Sequence, residues 1–271
     1  MKFIFIAVVR MITIAIEAAR EAGIFLLENV GKVKNIERKI GQETNLVTEI
    51  DKQSEALIIK KIRHHFPDHA ILGEESGAHE QKSEYRWIID PLDGTTNYTH
   101  GLPIFCVTIG IEHQGEIIAG AIYDPNRDEL YTAEKGKGAF LNGKRIYVST
   151  VDSLINSLLV TGFPYNVKEN PENVIEHFVN FLPKAQGVRR LGSAALDLAY
   201  VACGRFDGYW EIFLQPWDKA AGILLVQEAG GVVTNFTNDA KDIIYNPNTL
   251  ATNGMIHTKM LGMIHTITKQ S

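Results

Sequence analysis

The 271-residue chain has few cysteines, and it lacks any surplus of positive charge. Its two cysteines, Cys106 and Cys203, lie in apolar contexts and are too few for a disulfide framework. We therefore expect reduced, buried thiols in a cytoplasmic protein. Lys and Arg number 27 against 32 Asp and Glu, giving a formal net charge of −5. That balance argues against general binding to nucleic-acid phosphates.

Long apolar runs are also missing. The run in "MKFIFIAVVR" is interrupted at Arg10, far short of the roughly 20 residues that a membrane-spanning helix needs, and no clear signal-peptidase site follows. We therefore expect no membrane anchor and interpret residues 1 to 10 as an additional N-terminal tail, with Met11 as an alternative start. The chain contains no internal repeat, no low-complexity segment and no His/Cys cluster with zinc spacing.

Hydrophobic periodicity divides the chain into two halves. Residues 12–30 predict a helix, a polar stretch predicts a loop, and residues 46–67 predict a second helix that ends at a proline. Turn signals between the apolar runs of 105–145 predict an antiparallel meander. Strand and helix patterns alternate after about residue 150. The chain is therefore predicted to have an α+β fold, with an antiparallel N-terminal half over 1–148 and an α/β C-terminal half over 149–271.

The stretch "DPLDGTTNYTHG" places two carboxylates, Asp90 and Asp93, directly after an apolar strand. Glu74, Glu75 and Asp218 also follow a predicted strand or begin a predicted helix. Carboxylates that converge in space repel one another unless a cation neutralises them, and hard oxygen ligands suit Mg²⁺ or Mn²⁺. A simpler alternative is that Asp90 and Asp93 cap a turn, but this leaves the other acids unexplained.

Gly94 and Thr95 follow the two aspartates at a predicted helix start. The exposed N–H groups of such a start form an anion site. A phosphate held there would lie beside the cations, which can activate a water and stabilise a leaving oxygen. The stretch therefore predicts the hydrolysis of a phosphate ester.

Three motifs, "GEES", "WIIDPLDGTTNY" and "PWDKAAGILLVQEAGG", together resemble those of the inositol monophosphatase family, and they occur in the same order. The resemblance runs from about residue 12 to the C-terminus and is strongest to the bacterial-type inositol-1-monophosphatases. It implies a layered αβαβα sandwich of the kind shared with fructose-1,6-bisphosphatase. It also implies a lithium-sensitive, Mg²⁺-dependent phosphatase that acts as a homodimer on myo-inositol 1-phosphate.

The resemblance also implies a role for each matching residue. Two or three Mg²⁺ ions, or Mn²⁺ in their place, would be held by Glu74, Asp90, the carbonyl of Leu92, Asp93 and Asp218. Glu74, Thr95 and Asp51 would be catalytic, with Thr95 bonded to Asp51 to orient and deprotonate the attacking water. The amides of Gly94 and Thr95 would hold the phosphate. The alcohol part of the substrate would contact Asp93, Gly192, Ser193, Ala194, Glu211 and Asp218.

Several of these assignments have simpler alternatives. Asp51 could be an acid in the first turn of a helix, and Glu211 an exposed charge on a strand. Arg190 could face the substrate, a dimer partner or only solvent, and Lys39 resembles a mobile-loop lysine near the metals.

The substrate is the least determined feature. The same metal core could hydrolyse fructose 1,6-bisphosphate, 3′-phosphoadenosine 5′-phosphate, histidinol phosphate or NADP. The segments "WEIFLQPWD" and "GSAALDL" favour the inositol phosphate branch. A function of another class, a regulatory role in binding a protein, also stays open.

Overall fold

The computed structural model describes residues 2–32, 36–38 and 46–268. Its α-helices are α1 (Lys2–Asn29), α2 (Glu49–His65), α3 (Thr95–Thr99), α4 (Val174–Phe181), α5 (Ala194–Ala202), α6 (Pro216–Glu228) and α7 (His257–Thr268). Its first ten strands are β1 (Ile36–Arg38), β2 (Leu46–Thr48), β3 (Ala70–Gly73), β4 (Gly77–His79), β5 (Tyr85–Asp93), β6 (Cys106–His113), β7 (Glu116–Asp124), β8 (Glu129–Glu134), β9 (Gly138–Leu141) and β10 (Lys144–Ile146). The remaining strands are β11 (Leu158–Thr161), β12 (Gly187–Arg189), β13 (Gly208–Glu211), β14 (Val232–Thr234) and β15 (Thr249–Thr252).

These elements stack in five layers, which confirms the predicted αβαβα sandwich. Helices α1 and α2 cover one face of an eight-stranded sheet. Helices α5 and α6 lie between that sheet and a second, five-stranded sheet. Helices α4 and α7 cover the outer face of the second sheet. Each face of the eight-stranded and five-stranded sheets therefore has a helix layer against which to bury its apolar side chains.

The two sheets differ in strand direction. The eight-stranded sheet has the order β10-β9-β8-β7-β6-β5-β3-β4 and is antiparallel except for the β3–β5 pair. Strands β6 to β10 form the predicted meander. The second sheet, β12-β11-β13-β15-β14, is parallel from β12 to β13 and antiparallel from β13 to β14. A division of the chain near residue 148 stays a prediction.

Three N-terminal predictions need correction. Helix α1 begins at Lys2 and not at residue 12, because nothing in the apolar segment before Met11 interrupts a helix. Helix α2 begins at Glu49, since Thr48 caps it and residues 46–48 are strand. The segment predicted as a loop contains β1, which pairs with β2. The rest of that segment, including Lys39, lies outside the described residues. In the described part of the chain, no helix is long and apolar enough to cross a membrane.

Helix α6 lies unusually close to the first sheet. Gly110 and Gly120 are paired across β6 and β7, directly beneath the helix. A Cβ atom at Gly110 would lie 2.8 Å from the Cβ of Ala220, and one at Gly120 would lie 2.8 Å from the Cα of Ala221. Small residues on both surfaces therefore set the distance between α6 and the sheet, and with it the position of the acid in the first turn of α6.

We expect Gly120→Ala to destabilise the protein by about 1–3 kcal/mol, because the added methyl group overpacks this contact. Urea unfolding measures the change. Gly262→Ala is the matched control: a Cβ at this glycine of α7 meets nothing within 4 Å, so the same substitution should stabilise by about 0.5–1 kcal/mol. A loss of stability in both variants would contradict the close-packing argument.

Candidate active site

A cavity of about 850 Å³ opens where β3, β5, α5 and α6 meet. Its walls contain almost all of the residues that the sequence assigns to the site; Asp51 lies behind them. The predicted residues that line it are Glu74, Asp90, Leu92, Asp93, Gly94, Thr95, Gly192, Ser193, Ala194, Glu211 and Asp218.

A bulge in β5 brings its two aspartates to the same side of the sheet. Side chains alternate along a strand, so residues three apart normally face opposite ways. Here Asp90 pairs with Thr108 and Asp93 with Cys106, so that three steps on β5 match two on β6. The extra residue turns both carboxylates toward the cavity. The Leu92 amide donates to Asp90 Oδ1 at 2.9 Å, which fixes the bulge from within.

Gly94 permits the turn from β5 into α3. Its φ of 99° lies in the left-handed region, and a Cβ there would lie 2.8 Å from the carbonyl oxygen of Ile104. The chain can therefore start α3 immediately at Thr95. The first N–H groups of a helix have no partner within it, and Thr95 and Thr96 both line the cavity.

The predicted contact between Thr95 and Asp51 is present. Thr95 Oγ1 lies 3.1 Å from Asp51 Oδ1 and also 3.1 Å from the Leu92 carbonyl oxygen, so its single proton can be donated to either. Asp51 also accepts bonds from the amide and hydroxyl of Thr48 as part of the cap of α2. Asp51 therefore lies in the first turn of α2, as its simpler alternative has it, and it also bonds to a residue of the cavity wall; its catalytic role stays a prediction.

Asp93 is held by the start of α5. Its Oδ2 atom accepts from the Ser193 hydroxyl at 2.6 Å and from the Ala195 amide at 2.7 Å. Burial raises the pKa of Asp93 to about 6, although these two hydrogen bonds act in the opposite direction. The turn at Gly192 and Ser193 thus fixes a carboxylate that is costly to leave charged.

The other acids in this wall also raise one another's pKa values. Burial, and then the charges of Glu74, Asp93 and Asp218, raise the pKa of Asp90 well above its usual value. Burial, Glu74 and Asp93 do the same to the pKa of Asp218, whose Oδ2 atom accepts from the Gln215 amide at 2.6 Å. Four carboxylates in one wall form a set of hard oxygen donors, the chemistry that Mg²⁺ and Mn²⁺ prefer.

The fit to a cation rests on this donor chemistry. No group of three or more His, Cys, Asp or Glu side chains within residues 2–32, 36–38 and 46–268 already has the spacing of a finished metal centre. The carboxylates share one wall, and a hydrogen bond links Asp90 to Glu74. A bound cation would favour the ionised form of such carboxylates and offset their mutual repulsion.

Glu211 lines the same cavity, at the end of β13. Its Oε2 atom accepts from the Tyr209 hydroxyl at 2.6 Å, and a Cβ at Gly162 would lie 2.1 Å from both carboxylate oxygens. Burial raises the pKa of Glu211 to about 7, and the nearby Arg190 acts against this rise. The alternative that Glu211 is an exposed strand charge is therefore wrong. Arg190 itself is exposed and lines the same cavity.

Sequence reasoning missed Glu55, which holds the turn that carries Glu74. The two carboxylate oxygens of Glu55 accept from the Glu75 and Ser76 amides, each at 2.9 Å. A Cβ at Gly73 would lie 2.5 Å from Glu55 Oε2, so a side chain at this strand end would displace the Glu55 carboxylate. A signal was available: Glu55 falls on the same buried face of α2 as Ile58 and Ile62.

Asp197 was missed as well. It lies one helical turn after Ser193 on α5 and is only 1% exposed. Within the described residues, its Oδ1 atom has no hydrogen-bond partner. Burial, and then the charges of Glu211 and Asp93, raise its pKa well above the usual value. A single acid in the apolar helix "AALDLAYVA" was the available signal.

Residues 8–269 match the model of the inositol monophosphatase family. An inositol-1-monophosphatase of Synechocystis is 48% identical over 248 residues, covering 91% of this chain and 86% of the relative. A Nus factor SuhB of Pseudomonas aeruginosa is 45% identical over 232 residues, covering 84% and 86%.

A solved inositol monophosphatase from Anabaena superposes with a TM-score of 0.86 at 45% identity, covering 96% of this chain and 97% of that one. The phosphatase class that the family name carries agrees with the acids and the helix start in the cavity. The chain belongs to the inositol monophosphatase family and is, by class, a phosphoric monoester hydrolase.

Proposed function

We propose that the protein hydrolyses myo-inositol 1-phosphate to inositol and phosphate with Mg²⁺ as cofactor. One observation carries the proposal: Glu74, Asp90, Asp93 and Asp218 line a single cavity that also contains the start of α3. A cation site beside a phosphate site is what metal-assisted hydrolysis of a phosphate monoester requires.

Two or three Mg²⁺ ions, or Mn²⁺ in their place, would be held by the four carboxylates and the Leu92 carbonyl. Bound cations supply Lewis-acid activation of water and of the phosphoryl group. The family is generally metal-dependent, which supports this cofactor. We include lithium sensitivity, a homodimer and a cytoplasmic location in the proposal, as the sequence resemblance and the two reduced cysteines imply.

Thr95 and Asp51 are proposed as the pair that accepts the proton of the attacking water. Thr95 can take that proton only if it passes its own to an acceptor, and Asp51 Oδ1 is 3.1 Å away. Burial raises the pKa of Asp51, which makes it a better base than an exposed aspartate. Glu74 is proposed as the third catalytic residue. The amides of Gly94 and Thr95 would hold the phosphate.

The part of the cavity around Glu211 suits a polyol. Glu211 and Asp93 offer carboxylate oxygens to the hydroxyl groups of the substrate, and a charged acceptor makes a strong hydrogen bond. Gly192, Ser193, Ala194 and Asp218 are the other proposed contacts of the alcohol part, and all four line the same cavity. Relatives named inositol-1-monophosphatase, at 42% and 48% identity, support inositol phosphate as the substrate.

A second candidate function is a regulatory role through binding another protein. It is favoured by relatives named Nus factor SuhB at 45% and 46% identity. All four carboxylates are present in this chain, so the regulatory role would accompany catalysis and need not replace it.

Phosphate release with and without Mg²⁺ tests the proposal. The panel is inositol 1-phosphate, fructose 1,6-bisphosphate, 3′-phosphoadenosine 5′-phosphate and NADP. We expect Mg²⁺-dependent release that is fastest with inositol 1-phosphate. If another ester were hydrolysed fastest, the proposed metal site would stand and the proposed substrate would be wrong. No release from any ester would contradict the proposal and favour the regulatory role.

We expect Asp93→Asn to lower kcat/KM by more than about 100-fold, since even residues that only support metal ligands cost 10–100-fold when changed. The fold should survive, because the remaining amide oxygen can still accept from Ser193 and Ala195. Without metal, the variant should be at least as stable as the wild type, as it lacks one repelling charge. Phosphate release and urea unfolding measure the two effects.

Asp207→Asn is the matched control for this variant. Asp207 is also a buried aspartate, but it bonds Ser149 and the Leu158 amide away from the cavity. This control should lose stability and keep Mg²⁺-dependent turnover. If Asp93→Asn retained wild-type kcat/KM, the metal assignment would be wrong.

We expect Glu55→Gln to weaken Mg²⁺ activation by about 10–100-fold, as measured by the Mg²⁺ concentration for half-maximal activity. The amide of glutamine would present N–H groups to one of two backbone donors, and the turn that carries Glu74 would lose its position. Glu228→Gln is the control. The Glu228 carboxylate likewise accepts from two backbone amides, those of Gly136 and Gly138, each at 2.7 Å, but it lies far from the cavity. Equal shifts in both variants would count against a positioning role for Glu55.

A further inference from the structure

Phe213 has a backbone conformation that aromatic residues rarely adopt. Its φ is 61°, in the left-handed region, where the Cβ atom crowds the backbone. Eight other described non-glycine residues have positive φ, and all carry polar side chains: Gln114, Asp128, Asn142, Asn170, Glu172, Asn173, Asn238 and Asp242. Phe213 is the one aromatic residue among them, and it lines the cavity.

The chain must turn at Phe213 to connect β13 to α6, but this turn does not depend on an aromatic side chain. Ile212 and Leu214 on either side are 1% and 8% exposed, and the Leu214 amide donates to the Pro247 carbonyl at 3.0 Å. These contacts fix the path from β13 to α6, so that Glu211 and Asp218 reach the same cavity. Glycine would follow this path without strain.

Packing does not account for the side chain either. Phe213 is 41% exposed, so much of its ring is not buried in the core. Burial of the ring within the folded chain therefore does not offset the free-energy cost of the backbone strain at Phe213. Strain of this kind, found beside a site, points to a contact that the site makes when occupied.

We propose that Phe213 is a specificity-determining residue that packs against the C–H face of a ring in the alcohol part of the substrate. This inference rests on the proposed function. A cyclic polyol has an apolar face of C–H groups and a rim of hydroxyls. An aromatic ring beside Glu211 matches both, since the ring contacts the face while the carboxylate accepts from the rim. An acyclic phosphate ester offers no such face.

The test compares Phe213→Gly and Phe213→Tyr with the wild type on a cyclic ester, inositol 1-phosphate, and an acyclic one, glycerol 2-phosphate. For Phe213→Gly we expect kcat/KM to fall about 10-fold on the cyclic ester and to change less than about 2-fold on the acyclic one. Its melting temperature should not fall, because the strain is relieved. Phe213→Tyr keeps the ring and should keep the wild-type preference.

Asn238→Gly is the control for strain alone. Asn238 is exposed, has a φ of 64° and lies outside the cavity wall, so its change should leave both kinetic values unaltered. Equal losses on both esters, with a lower melting temperature, would show that Phe213 is a packing residue and overturn the inference. A Phe213→Tyr variant as impaired as Phe213→Gly would also overturn it. If the wild type hydrolysed neither ester with Mg²⁺, the proposed function would fail, and this inference with it.

Discussion

Repulsion among buried carboxylates is the constraint on which this site depends. Glu74, Asp90, Asp93 and Asp218 share one wall, and burial with mutual repulsion raises the pKa values of the three aspartates. Like charges in a poorly solvated cavity move apart unless each is held separately. A different feature holds each of them. Glu55 fixes the turn that carries Glu74, and the bulge of β5 positions Asp90. The start of α5 binds Asp93, and Asp218 is bonded within the cap of α6.

The layered fold brings these four features together from distant parts of the chain. The bulge of β5 belongs to the first sheet, while the cap of α6 belongs to a helix between the sheets. Gly110 and Gly120 let that helix approach the first sheet closely, which sets where its acidic first turn lies. The same connection from β13 to α6 contains the strained Phe213. Stability given up at such points is typical of functional sites.

Local motifs were sufficient to predict much of the site. The acids at strand ends, Gly94 at the turn and the five-layer fold followed from patterns within a few residues of one another or from family resemblance. Three of the failures have a common physical reason. Glu55 bonds to amides that are distant in sequence, and Asp197 lies near the distant acids Glu211 and Asp93. The bulge that aligns Asp90 with Asp93 depends on its pairing with β6. The start of α1 was missed because a short apolar run does not distinguish a tail from a helix.

A crystal structure with Mn²⁺ and inorganic phosphate would test the central claim most directly, because the anomalous scattering of manganese locates each ion. We predict anomalous peaks within coordination distance of Glu74, Asp90, Asp93 and Asp218, with phosphate beside the amides of Gly94 and Thr95. Manganese bound elsewhere, or absent from this wall at millimolar concentration, would contradict the account.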